Sequence, residues 1–229
     1  MPTAGELVTQ IRDMLDEPTA AQWTDDMLVR WINEAARDLG RATRYLKATD
    51  TIPLVAGTSE YALPTNLIAV EHAYYRPGDG RDIPLTPRHY EGMDQVWGQW
   101  QNQQSYMPNW FTVIGFSPSA VIKLYPAPND SNAELSILYC RVPDELSIPF
   151  DSSEDADVPH VWYDAIVDYV ESKALRRDRD PRWQEAYQLY VEKRDGFIHN
   201  PDYLAENREI IPTPNGYMPE WLALPEYWD

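Results

Sequence analysis

The sequence predicts an α+β protein: an antiparallel helical bundle with an inserted antiparallel β domain and an extended C-terminal tail. Three observations predict it. Apolar residues recur at three- and four-residue steps near both ends of the chain, short β-prone runs punctuated by Gly, Pro, Asn and Asp fill the middle, and beyond Pro201 neither period survives. The boundaries follow: residues 1–48 for the N-terminal helices, 49–150 for the β domain, 151–204 for the C-terminal helices and 205–229 for the tail.

The first helix runs from Ala4 to about Glu17, with Leu7, Ile11, Met14 and Leu15 on one stripe and Pro18 as its stop. The second runs from Asp25 to about Lys47. Thr24 is a good N-cap, Asp25 and Asp26 put negative charge on the first turn, and Arg41, Arg44 and Lys47 put positive charge near the end. Its stripe is Leu28, Trp31, Ile32, Ala35, Ala36 and Leu39, with Arg30, Asn33, Glu34, Arg37 and Asp38 opposite.

From Thr49 the period changes. Thr51–Val55, Ser59–Ala62, Leu67–Arg76, Trp110–Gly115, Ala120–Tyr125 and Glu134–Arg141 read as strands of an antiparallel region, and Gly78-Asp-Gly80 as a turn. Glu91 to Met107, rich in Gln, Trp and Tyr, reads as a short helix or a long ordered excursion. The acidic run Asp151–Asp157 reads as a solvated linker. Pro159 opens a third helix through Trp162, Ile166, Tyr169, Val170 and Ala174 to about Arg177, and Pro181 opens a fourth that ends near Gly196.

The tail alternates Pro212, Pro214, Pro219 and Pro225 with Tyr217, Trp221, Leu222, Leu224, Tyr227 and Trp228. Prolines bias it to extended conformations, and a merely disordered tail would be polar and poor in aromatics. Its composition calls for docking, either on its own domain or, the favoured reading, on another chain. Across the whole chain 9 Trp and 15 Tyr fit either partner surfaces or a large aromatic core.

Composition narrows the function. With 229 residues and 43% hydrophobic content the chain can bury a sizeable core, and no stretch approaches the roughly 18 uninterrupted apolar residues of a membrane span. Acids occupy Met1 to Glu17 where a signal peptide carries its apolar core, so the expectation is a soluble protein made in the cytoplasm, with no membrane partner. A net charge of −18 opposes tight, sequence-specific DNA binding, whereas a negative wall lets DNA slide past without sticking.

Candidate chemistry is sparse. The lone Cys140 lies in an apolar run and reads as a small buried hydrophobe; it forms no intrachain disulfide or Cys-based metal site. His72, His89, His160 and His199 show no metal-ligand spacing. Asp151, Ser153 and Asp155 begin like a calcium loop, yet Ala156 and Trp162 stand where that loop needs Gly and Glu. Phosphate-cradle, nucleophile-elbow and zinc-protease motifs do not occur. The expectation is a non-enzyme with no catalytic, cofactor-binding or metal residues and no cofactor.

Several passages in order are similar to the head-to-tail connector adaptors of tailed bacteriophages, including the tail tubular A-like proteins. They are the helix Met27-Leu-Val-Arg-Trp-Ile-Asn-Glu-Ala-Ala-Arg-Asp-Leu39, the hairpin Leu54-Val-Ala-Gly-Thr-Ser-Glu-Tyr-Ala-Leu-Pro64, then Ile83-Pro-Leu-Thr-Pro87, Ile122-Lys-Leu-Tyr-Pro-Ala-Pro128 and Val158-Pro-His-Val-Trp-Tyr-Asp-Ala-Ile166. Together they span roughly Gly5 to Leu175. The resemblance implies a virion protein at the head–tail interface: a homo-oligomeric, twelvefold ring on the portal protein, monomeric until the portal templates it. It also implies a downstream tail or neck protein as second partner, genomic DNA passing through the lumen, and a tail reaching along the portal. Tyr217, Trp221, Leu224, Tyr227 and Trp228 are then the portal-interface candidates. The competing readings are another neck component, such as a stopper or tail-completion protein, a carbohydrate-binding or hydrolytic tail protein, and an acidic interaction module.

Overall fold

The computed structural model describes residues 3–17, 19–20, 22–90, 104–105 and 107–199. Most of the segment Glu91 to Met107, and the tail with its portal-interface candidates, lie outside the described residues.

The architecture is mixed α+β. Helix α1 (Ala4–Met14) starts at a capping box in which the Glu6 N–H donates to Thr3 Oγ1 at 3.3 Å and the Thr3 N–H to the Glu6 carboxylate at 3.1 Å. Helix α2 (Asp25–Thr43) starts at Thr24, but the threonine hydroxyl makes no capping bond; the Met27 and Leu28 N–H groups donate to the Thr24 carbonyl. It ends earlier than expected because Arg44 turns left-handed, at φ 50°, and Lys47 already belongs to strand β1 (Lys47–Pro53). After the strands, a 3-10 turn at His160–Trp162 leads into α3 (Tyr163–Arg177), and α4 is Trp183–His199.

The four helices among the described residues all contribute to one core. Leu7 and Ile11 of α1, Leu28, Ile32 and Leu39 of α2, Ile166 and Val170 of α3, and Tyr190 of α4 are fully buried in it, with Trp162 at its centre. These positions repeat at helical spacing, so each helix hides one stripe and leaves a polar face in water. The buried stripe of α1 also carries Arg12, whose guanidinium donates to Asp25 Oδ1 at 2.6 Å and to the Trp23 carbonyl at 2.8 Å. A charge that far inside is tolerable because it is paired and hydrogen-bonded, to the Trp23 carbonyl in the α1–α2 connection and to Asp25 at the start of α2.

The strands are β2 (Glu60–Ala62), β3 (Leu67–Arg76), β4 (Ile83–Pro84), β5 (Thr86–Pro87), β6 (Gln104–Ser105), β7 (Trp110–Ile114), β8 (Val121–Tyr125), β9 (Ala127–Pro128) and β10 (Glu134–Arg141). One sheet has the order β1-β10-β3-β4 and the other β2-β8-β7-β5. The long ladders are antiparallel; the two-residue pairings of β5 with β7 and of β6 with β9 are parallel. Leu135, Ile137 and Tyr139 from β10 meet Ile122 and Leu124 from β8 and Phe111 from β7 in a second core.

The chain returns from β10 to α3 along α2. Asn33 makes a two-way contact with Leu146, its amide donating to the Leu146 carbonyl at 3.0 Å and its carbonyl oxygen accepting the Leu146 N–H at 2.9 Å. The acidic run 151–157, expected as a free linker, is pinned at several points. The Ala4 and Gly5 N–H groups donate to the carbonyls of Glu154 and Ser152, Ala156 is buried, and Asp157 grips Arg141. Backbone bonds to α1 outweigh the tendency of acids to stay in water.

Candidate interaction surfaces

The seam between helices and sheets is built from charged side chains on a rigid frame. Arg141, at the end of β10, makes a two-pronged contact with Asp157, which also accepts the Asp144 N–H at 2.8 Å. Burial alone raises the Asp157 carboxyl, but the Arg141 hydrogen bonds and charge, with the Asp144 N–H, outweigh it and hold the group below the usual carboxylate range. Across the helices, the Tyr190 hydroxyl donates to Asp38 Oδ2 at 2.5 Å and Arg194 approaches the same oxygen at 3.3 Å. Lys173 bridges to Glu34 at 2.7 Å and lies over the Tyr169 ring.

Cys140 sits at this seam. The β3–β10 ladder skips Glu71 and Ile68 of β3 while β10 keeps its alternation: Leu135, Ile137 and Tyr139 face the sheet core, and Cys140 is buried on the opposite face, against the Arg44 carbonyl and Glu71. Burial and the neighbouring Glu71 carboxylate push its thiol up to about 12. It is a protonated, buried group at neutral pH, the environment opposite to that of a nucleophile. Among the described residues no group of three or more His, Cys, Asp or Glu is placed to hold a metal ion.

Shallow concavities lie on the outer faces of the helices. One, along α4, is lined by Arg182, Gln184, Glu185, Gln188, Leu189 and Glu192; another, along α1, by Thr3, Glu6, Thr9, Gln10 and Asp13. Both are open, and the one along α4 includes Leu189, an exposed apolar side chain. Tyr187 and Ile198 share a face of α4, being close to three full turns apart, and both are over two-fifths exposed.

The hairpin joining β7 to β8 ends in Phe116, which is 91% exposed. Its turn is well tied. Gly115 adopts φ 82°, the Ser119 N–H donates to the Phe116 carbonyl at 2.9 Å, and the Ser117 hydroxyl donates to the Thr65 carbonyl of the β2–β3 turn. The two turns form one end of the β region, and their own segments are uncharged: neither Tyr61–Val70 nor Met107–Ile122 contains an Asp, Glu, Lys or Arg, in a chain that is 24% charged, while Leu67 in the first of them pairs with Arg141. The strands flanking this tip were legible in the sequence, but Phe116 itself was not singled out; the charge-free stretch was the available signal.

A family model described as SU10 adaptor protein matches residues 2–209, taking in every described helix and strand. The chain belongs to the SU10 adaptor protein family. As an SU10 adaptor it is a structural adaptor protein of phage and a component of the virion. No curated protein matches it. The SU10 match ends before Tyr217, Trp221, Leu224, Tyr227 and Trp228, so the portal-interface candidates lie beyond both the matched and the described residues. Among the described residues no helix is long and apolar enough to cross a membrane.

Proposed function

We propose that this SU10 adaptor is the head-to-tail connector of its phage, and that it works by binding and not by catalysis. Copies of the chain, twelve by the resemblance to tailed-phage connectors, form a ring on the portal protein. The ring extends the DNA channel and offers the attachment site for a downstream tail or neck protein. The observation that carries this reading is the family match across residues 2–209. Two features support it: a helical core and a sheet core tied by Arg141–Asp157, which make a stiff building block, and a charge of −18 that keeps DNA from adhering to a channel wall. The order of its motifs favours kinship with the tail tubular A-like branch, and the helices and sheets act as a bundle with an inserted β domain.

Electron microscopy of the protein mixed with its phage's purified portal, with the protein alone as control, tests this. A ring at one end of the portal and nowhere else is the expected result; no association at any concentration refutes it. The tail residues Tyr217, Trp221, Leu224, Tyr227 and Trp228 supply the portal contact in this reading. Deleting residues 212–229 then leaves a subunit of unchanged thermal stability that no longer joins portal-bearing heads; a lowered melting temperature with retained joining shows the tail packing on its own domain instead.

A further inference from the structure

We propose that the outer ridge of α2 is a basic clamp for a second copy of this chain: Arg30, Arg41 and Arg44 seat against the acidic strip that α1 and the pinned run 151–157 present on the neighbouring subunit. The inference rests on the ring reading and names the faces that meet in it. At about 100° per residue, Arg30, Arg37 and Arg41 fall within about 40° of one another, opposite Ile32 and Leu39 and along roughly 16 Å of helix. Arg44 continues the ridge at the left-handed cap. Arg37 reaches Glu145, and Glu34 is turned to Lys173. Arg30, Arg41 and Arg44 are exposed and have no acid partner among the described residues, in a chain with 37 acids against 19 Lys and Arg. One unpaired surface arginine means little, because exposed pairs are weak in any case. Three in a row on an acid-rich chain form a positive face with nothing of its own to meet.

The chain itself carries the complement. Glu6, Asp13, Asp151 and Asp155 are exposed and likewise have no basic partner among the described residues. They form one strip because the Ala4 and Gly5 N–H groups donate to the carbonyls of Glu154 and Ser152, and Thr3 pairs with Asp155. Residues 3–17 and 151–157 contain a single Lys or Arg, Arg12, which is buried and turned to Asp25. Glu6 and Asp13 border a shallow concavity with Thr3, Thr9 and Gln10, where a guanidinium can lie between carboxylates and amide and hydroxyl oxygens. The field of the strip is felt inside the fold: burial first, then Glu6 and Asp155, push the Tyr163 phenol up to about 12. A ring needs a head-to-tail contact between two different patches of one chain. Ridge and strip are such patches, since α1 and α2 bury their apolar stripes in the same core and turn these charges outward. The second copy is the occupant because it supplies the opposite sign at every step of the ring, and closure leaves no ridge and no strip unmatched. Such pairs fix register and exclude wrong faces more than they add affinity. Repulsion between whole subunits still acts at longer range, and salt screens it more than it screens close pairs.

Two variants of the full chain test it, each mixed with the phage's purified portal at about 0.1 M salt. One reverses the ridge, Arg30→Glu with Arg41→Glu; the other reverses the strip, Asp13→Arg with Asp155→Arg. All four side chains are exposed and without hydrogen bonds among the described residues, so both variants are expected to melt with wild type. Each alone sets like charges face to face and lowers the fraction of portals carrying a ring, counted by electron microscopy, by about tenfold or more. An equal mixture of the two restores it to within about twofold of wild type, because the reversed ridge of one meets the reversed strip of the other. Alternation closes because the proposed ring has an even number of copies. Full ring formation by either variant alone overturns the proposal, and so does a mixture no better than its components. Where reversal lowers a melting temperature, Arg30→Gln with Arg41→Gln removes the charge without reversing it; a several-fold loss of rings is expected, and rings at the wild-type level overturn the proposal. Failure of the underlying reading looks different: the wild-type chain then forms no ring on the portal.

Discussion

Tyr190 shows how much of this protein rests on single polar contacts between helices. Its ring is buried in the helical core, and its hydroxyl reaches Asp38 on α2 at 2.5 Å, with burial first and the Asp38 contact second pushing the phenol far above its ordinary range. Tyr190→Phe keeps the packing and removes the bond. Because Asp38 is half exposed and can turn to water, the expected loss is about 1.5 kcal/mol in a urea unfolding curve, the low end for a bond to a charged group. Asp157 gives a pH signature. Its folded carboxyl lies below the ordinary 3.8, so its contribution to stability is present above that value and is lost as pH falls through the lower folded value. Asp157→Asn is expected to be less stable than wild type at neutral pH and to converge with it in strong acid; parallel curves at all pH values refute the assignment. Asp168, raised chiefly by burial against the opposing pull of Lys193, has the opposite sign: protonation on acidification relieves a penalty there.

At the scale of elements, close approach decides more than propensity. Gly40 lies in the last turns of α2, where alanine is ordinarily better by about 1 kcal/mol. A Cβ at that position, however, lies 2.7 Å from Pro143 Cδ, an atom in a ring that cannot swing away. Overpacking of this kind costs roughly 1–3 kcal/mol, so Gly40→Ala is expected to lower stability by up to about 2 kcal/mol. Chemical denaturation at fixed pH measures it, and a stabilised variant refutes the close approach of α2 to the chain leaving β10. The free edge of β1 is likewise guarded: the Asp50 carboxylate accepts the Thr51 N–H at 2.8 Å and Pro53 has none to offer. This matters for a protein whose proposed work is to contact copies of itself only where intended.

For the whole molecule, the charge of −18 sets the conditions of assembly. In the proposed ring, neighbouring copies repel, and salt screens that repulsion over a Debye length of about 10 Å at 0.1 M. Joining of subunits on the portal is therefore expected to strengthen from low to moderate ionic strength, measured by analytical ultracentrifugation of the mixture. Weakening over the same range points to ion pairs between subunits as the dominant contact and refutes the repulsive picture.

The helical stripes, the acidic character and the family motifs were legible in the sequence because each depends on residues within a few positions of one another or on composition alone, whereas the Thr3 capping box of α1 was not read there. The same local logic placed α2 too far, to Lys47, since nothing local announces that Lys47 pairs with Cys140 from the far end of the β region. It read 151–157 as a linker because acids look solvated until backbone partners on α1 are known. Only the tertiary structure decided that Arg12 is buried, that β10 lies between β1 and β3, that Cys140 faces a seam, and that Phe116 stands in water. These are contacts between residues distant in the chain, and their energies depend on pairwise approach that no single segment encodes.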